Sequence, residues 1–151
     1  MNDKREINGW MMYDWANSAF STTVVTALLG PYIQSLAEST AEPLRLFGAA
    51  IEPGAIYPFA VSFSVVLQVL FLPLLGAIAD HTALKKRMLL AFAYTGAAAT
   101  ILLFFVRGEM PLLGTSGAVA LGSLLLIVAN LCFGAAIVFY NSFLPQIVSP
   151  D

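Results

Sequence analysis

The sequence predicts an all-α membrane protein with four transmembrane helices. Two observations lead to this prediction: 59% of the 151 residues are hydrophobic and only 11% are charged, and four apolar runs are each long enough to cross a bilayer. A typical soluble domain has about 25% charged residues. This chain has too few charges to cover a water-exposed surface, so the lipid bilayer is its natural solvent.

The four apolar runs define the domain plan. A transmembrane helix needs about 20 mostly apolar residues. The predicted spans are residues 10–36, 56–79, 88–106 and 117–140. A cleaved signal peptide is the competing interpretation of the first run. A signal core, however, has about 7–15 uninterrupted apolar residues, whereas this run is longer and contains Asp14 and Asn17. The sequence therefore favours a span.

The basic residues predict which side of the membrane each loop faces, because Lys and Arg near the spans remain on the cytoplasmic side. Five lie on one side of the predicted spans and two on the other. The five are Lys4, Arg5, Lys85, Lys86 and Arg87, and the two are Arg45 and Arg107. We therefore expect an integral multi-pass protein whose N- and C-termini are both cytoplasmic. The lipid bilayer is its first partner.

The residue types argue against an enzyme and against nucleic-acid binding. Cys132 is the only cysteine, so no disulfide can form within the chain. Asp80 and His81 are neighbours in sequence and cannot hold the geometry of a catalytic pair. The one basic cluster has no aromatic platform beside it. We expect no catalytic residue, no metal site and no cofactor.

A polar stripe runs along the first predicted span. It consists of Asp14, Asn17, Ser18, Ser21 and Thr22, which share one face at 3.6 residues per turn. Such a stripe must face other helices or a water-filled cavity. It predicts a solute or ion path in which Asp14 binds a proton, a cation or a substrate amine. In the alternative, Asp14 orients the helix N-terminus and the hydroxyls bond back to their own helix.

Two amides and a set of small residues lie in the other spans. Gln68 and Asn130 are single amides, and they either join helices by hydrogen bonds worth about 0.6 kcal/mol on average or line the same path. Small residues recur at positions 93, 96, 97 and 100. Such residues allow helices to approach closely and indicate packing.

The turn between the second and third spans combines a carboxylate with cations. The candidate residues are Gly76, Asp80, Lys85, Lys86 and Arg87. The cations alone are explained by anchoring of the loop, but that does not explain Asp80. A carboxylate at the membrane edge can accept backbone N–H groups or pair with a cation. A contact made in one conformation and broken in another would be a conformational latch.

Three segments resemble one transporter family. Residues 76–87, GAIADHTALKKR, resemble the major facilitator signature G-x-x-x-D-[RK]-x-G-[RK]-[RK], with departures at His81, Ala83 and Leu84. Residues 10–20, WMMYDWANSAF, resemble the W-x-x-Y-D-W-A-N-S-A-F opening of the autophagy-related vacuole effluxer-like permeases, a branch of the major facilitators. Residues 139–145, FYNSFLP, are similar to that branch after its fourth helix. The resemblance covers nearly the whole chain.

The resemblance implies a fold and a function. Major facilitators have twelve helices in two halves built from inverted three-helix repeats, so residues 1–151 are expected to be an N-terminal fragment or truncated product of a permease. The signature carboxylate, here Asp80, is expected to latch onto a helix of the second half. Fungal members are proposed to export amino acids from the vacuole.

We expect secondary transport of a small solute, with amino acids as candidates, in a bacterial cell (inner) membrane. Coupling to protons through Asp14 is our hypothesis, because this is the only carboxylate within a predicted span. The partners would be the missing C-terminal helices or an oligomeric partner. One alternative is a small four-span scaffold or assembly protein without transport activity. Another is a homo-oligomeric transporter built from four-span units.

Overall fold

The computed structural model describes residues 3–40, 45–46, 49–81, 84–108, 110–111 and 113–147. Its helices are α1 (Lys4–Ala19), a π-helix (Phe20–Leu29), α2 (Gly30–Glu38), α3 (Pro53–His81), α4 (Lys85–Leu103), α5 (Gly114–Asn141) and α6 (Leu144–Ile147). Between α2 and α3, β1 (Arg45–Leu46) pairs antiparallel with β2 (Ala49–Ala50). Apart from this two-residue ladder, the regular structure of these residues is helical, as the sequence predicts.

Three helices in the described part of the chain are long and apolar enough to cross a membrane. They are α3, α4 and α5, with mean hydropathies of 2.3, 1.2 and 2.3. They correspond to the second, third and fourth predicted spans. The third is displaced along the sequence: α4 begins at Lys85 and ends at Leu103, after which the chain turns at Phe104 and Phe105. The predicted end at residue 106 was therefore three residues too far.

The first predicted span is helical but divided into three pieces. The helix begins at Lys4, where the Asp3 carboxylate accepts the Arg5 N–H at 2.8 Å. The π-helix then contains five consecutive β-branched residues, at positions 22–26, whose side chains crowd the preceding turn. Pro31 follows at the start of α2 and has no N–H to donate. The expectation of one uniform span over 10–36 was thus too simple. Length and composition identify three spanning helices in the described residues.

Helix α5 is the centre of the bundle, because both α3 and α4 pack extensively against it and α2 also contacts it. Much of the core lies on this helix, including the fully buried Leu126, Ala135 and Phe139. The approach of α4 depends on Gly96: a Cβ atom there would lie 3.2 Å from Cβ of Cys132. Small residues at helix crossings allow such close packing in membranes.

Candidate functional site

A groove of about 500 Å³ separates the first helical segment from α4 and α5. Most of its wall is apolar. Residues of α1 and the π-helix that line it include Tyr13, Asn17, Phe20 and Thr23. The opposite wall includes Phe92, Gly96 and Thr100 of α4 and Cys132, Phe133 and Ala136 of α5. Phe20 and Phe133 lie with their ring centroids 5.4 Å apart. We call this feature the groove.

Asn17 has the greatest hydrogen-bonding capacity among the polar side chains of the described groove lining. Its side chain is half-buried and makes no hydrogen bond within the described part of the chain. The Thr100 hydroxyl, by contrast, already donates to the Gly96 carbonyl oxygen at 2.8 Å. A carboxamide offers both donors and an acceptor, so Asn17 can bind either kind of polar group.

The rest of the predicted polar stripe does not line the groove. Asp14, Ser18 and Thr22 are exposed, and Ser21 is half-buried. Ser18 donates to the Asp14 carbonyl oxygen at 3.0 Å, while Ser21 and Thr22 donate to that of Ser18 at 3.1 and 2.7 Å. The three hydroxyls thus bond back to their own helix, which is the alternative considered from the sequence. The role of the stripe in a solute path remains a prediction.

The two predicted amides lie together between α3 and α5. Gln68 Nε2 donates to the Asn130 carbonyl oxygen at 2.9 Å, and Asn130 Nδ2 donates to Ser64 Oγ at 2.7 Å. The Ser64 hydroxyl, which is fully buried, donates to the Val61 carbonyl oxygen. The described lining of the groove includes neither amide. Their observed contacts join helices, while lining a path remains a prediction.

Ser64 and Gly134 complete this amide network, although sequence reasoning had singled out neither. A Cβ atom at position 134 would lie only 2.7 Å from Oε1 of Gln68. Gly134 therefore leaves the space that the Gln68 carboxamide occupies. A glycine four residues beyond the half-buried Asn130 on α5 was the available sequence signal.

The predicted latch residues lie at the end of α3 and the beginning of α4. Lys85 Nζ donates to the carbonyl oxygen of Ser142, the C-cap of α5, at 3.5 Å. Lys86 and Arg87 are exposed. Gly76 faces Val138 at an ordinary contact distance, and the side chain of Asp80 lies outside the described residues. A cation at a helix C-terminus is favourable, so the observed contact of Lys85 is one that can cap α5.

An aromatic cluster lies at the same end of the bundle. Trp10 and Tyr140 stack with centroids 4.5 Å apart and planes 9° apart. Tyr13 lies 5.2 Å from the same Tyr140 ring. On the other side of α5, Phe139 stacks on Phe92 at 5.9 Å. The structure therefore brings together the segments 10–20, 76–87 and 139–145 that sequence reasoning identified separately.

Comparisons with known proteins match nearly the whole chain, including these three segments. The family model described as "Vacuole effluxer Atg22 like" matches residues 2–151. "Autophagy-related protein 22-1" of Penicillium rubens is 28% identical over 96% of this chain and 29% of its own length. "Uncharacterized MFS-type transporter YxiO" of Bacillus subtilis is 32% identical over 97% of this chain and 31% of its own length.

The chain spans between about a quarter and a third of the length of these curated relatives. No solved structure matches it. The family match covers almost every residue, and three helices have the length and composition of membrane spans. This chain is therefore an integral membrane protein and belongs to the vacuole effluxer Atg22-like family of major facilitator permeases.

Proposed function

We propose that this chain forms part of a secondary transporter that carries a small solute, an amino acid, across a bacterial cell membrane. The observation that carries the proposal is the groove beside Asn17 in a chain of this family. Its volume of about 500 Å³ lies within the range of about 300–1,000 Å³ of small-molecule sites. Apolar walls with a few polar groups are also typical of such sites. A bacterial relative named as a transporter supports the choice of membrane.

The helical segment Lys4–Glu38 is proposed as a fourth span. It is longer than the roughly 20 residues that a span needs, and its three pieces follow one another without a break. With four spans, the chain termini lie on one side. The cationic end of the bundle, at which α4 begins with Lys85, Lys86 and Arg87, is proposed to be cytoplasmic because basic residues favour that side.

The proposed mechanism is alternating access, in which two halves of the complete transporter rock about a site between them. Asn17 lines the groove, the exposed Asp14, Ser18 and Thr22 are proposed to face the part of the path that the second half completes, and Asp80 is proposed as the latch. Lys85 contacts the C-cap of α5, so we propose that the three cations of the latch have different roles. One cation stabilises the bundle, while Lys86 and Arg87 are exposed and available to a partner.

Transport by the full-length gene product tests the proposal. The protein is purified, reconstituted in liposomes and supplied with a radiolabelled amino-acid mixture. We expect time-dependent uptake, and Asn17→Leu should raise the KM about tenfold, the effect of losing about 1.4 kcal/mol of binding. Tyr94→Phe is the matched control, since Tyr94 is 71% exposed and lies outside the described groove lining. Absence of uptake for every amino acid would refute the proposed substrate class.

A further inference from the structure

We infer that Phe139 and Tyr140, adjacent residues of α5, seal the cationic end of the groove. Phe139 holds one aromatic side chain of α4, and Tyr140 holds two of α1. The inference deepens the proposed function and rests on it in one respect, namely that the groove is a solute path. We call Trp10, Tyr13, Phe92, Phe139 and Tyr140 the aromatic seal.

The geometry of α5 divides the seal into two sides. Consecutive residues of an α-helix point about 100° apart around its axis, so Phe139 and Tyr140 face different neighbours. Tyr140 meets Tyr13 of α1 at 5.2 Å, and Phe139 meets Phe92 of α4 at 5.9 Å. Tyr13 and Phe92 are the groove-lining residues closest to the N-termini of their helices. Phe139 and Tyr140 therefore contact, in α4 and α1 respectively, the groove-lining residue nearest the cationic end.

The two sides differ in how firmly they are held. Phe139 is fully buried, and its ring lies within 15° of parallel to that of Phe92. Tyr140 is held against Trp10 by stacking and by two hydrogen bonds of 3.4 and 3.2 Å, which are long for such bonds. Tyr140 is itself buried, but α1 makes far fewer contacts with α5 than α4 does. The seal therefore opens on the side of Tyr140, by separation of α1 from α5.

Cys132 provides a built-in reporter of this opening. It lines the groove on α5, two helical turns before Tyr140, and is only 6% exposed. It is also the only cysteine of this chain. On this inference, a reagent that enters the groove from the cationic end passes the seal before it reaches this thiol, so we expect the labelling rate to rise when the seal opens.

The test uses the full-length gene product in oriented membrane vesicles, with any cysteine outside this chain replaced. A membrane-impermeant methanethiosulfonate is added on the side that the cationic end faces. In the Trp10→Ala and Tyr140→Ala variants, Cys132 should be labelled about tenfold faster than in the unmodified protein, because each substitution removes the stacked pair and one side-chain hydrogen bond. Tyr140→Phe keeps the ring and should stay within about threefold of the unmodified rate.

Matched controls separate an open seal from a loosened protein. Tyr94→Ala removes an exposed aromatic residue of α4 and should leave labelling unchanged, while Cys132→Ala should abolish it. If Tyr94→Ala accelerates labelling as much as Tyr140→Ala, or if Tyr140→Ala labels at the unmodified rate, the inference is wrong. Should Tyr140→Ala fail to elute as a single species on size exclusion, Trp10→Ala decides.

Labelling needs no transported solute, so the two proposals fail separately. Faster labelling of the alanine variants in a protein that moves no amino acid would support the seal and refute the proposed substrate class. Measurable amino-acid uptake, with labelling rates that substitutions of Trp10 and Tyr140 leave unchanged, would support the proposed substrate class and refute the seal.

Discussion

Trp10 and Tyr140 hydrogen-bond each other in both directions. The indole N–H of Trp10 donates to the carbonyl oxygen of Tyr140, and the hydroxyl of Tyr140 donates to the carbonyl oxygen of Trp10. The two rings also stack. This pair joins the beginning of the first helical segment to the end of α5, and it is the longest-range side-chain contact in sequence among the described hydrogen bonds.

The Trp10 side chain should therefore stabilise the protein. Trp10→Ala is expected to lower the free energy of unfolding by about 2 kcal/mol, since it removes an aromatic pair and a hydrogen bond. Trp10→Phe should cost about 1 kcal/mol because stacking remains. Thermal unfolding of the purified full-length protein in detergent measures both. Trp15→Ala, at a residue that is 75% exposed, should change the melting temperature little; an equal loss would contradict the prediction.

Gly134 should be intolerant of even one added methyl group. Gly134→Ala would place a Cβ atom 2.7 Å from Oε1 of Gln68, so the carboxamide must leave the carbonyl oxygen of Asn130. We expect a loss of about 1 kcal/mol, the order of one buried hydrogen bond. Denaturant titration of the detergent-solubilised protein provides the measurement.

A double-mutant cycle identifies the cause of that loss. In a Gln68→Ala background, Gly134→Ala should cost almost nothing, because the side chain that it displaces is already gone. Gly76→Ala is the comparison, since the new Cβ atom would meet Val138 at an ordinary distance of 4.0 Å. Strict additivity of Gln68→Ala and Gly134→Ala would show that the two positions do not interact.

Lys85 and Lys86 are consecutive lysines that should differ in their effect on stability. Lys85→Met removes a cation at the C-cap of α5 and should cost about 0.5 kcal/mol, whereas Lys86 is exposed and Lys86→Met should be neutral. The comparison requires melting curves at low salt, because added salt screens such charges. Equal melting temperatures for the two variants would count against the capping role.

Asp14 should determine the pH dependence of uptake if its carboxylate carries the coupled proton. Asp14→Asn cannot exchange a proton, so uptake by the full-length protein in liposomes should lose its dependence on pH while remaining measurable. Glu6→Gln, which alters an exposed carboxylate in the first turn of α1, should leave the pH profile intact. A profile that Asp14→Asn does not alter would remove the proton role.

Hydropathy alone was sufficient to locate the three described helices that are long and apolar enough to span a membrane, but not to show that the first predicted span is divided. The bilayer sets a minimum apolar length, and α3 and α5 extend to within three residues of the predicted limits at each end. The π-helix was not predicted, although the β-branched run from Thr22 to Thr26 and Pro31 were present in the sequence. Its observed environment depends on a distant residue: the Tyr57 hydroxyl donates to the Val25 carbonyl oxygen, and the Tyr57 ring covers Gly30.

The candidate site was less predictable than the helices. The small residues at 93, 96, 97 and 100 indicated packing, and Gly96 does pack against Cys132, but all four also line the groove. A helical periodicity identifies a shared face and not its neighbour. Which residue Lys85 or Trp10 meets depends on how the helices are arranged, and that arrangement is a property of the whole bundle.

The π-helix has a mechanical consequence. Its hydrogen bonds span one residue more than those of an α-helix, so each turn is wider and wound less tightly. If Phe20–Leu29 rewound into ordinary α-helical turns, the preceding helix α1 would rotate about the helix axis. This rotation would move Asn17 out of the groove, and it requires that the contact between Trp10 and Tyr140 break first.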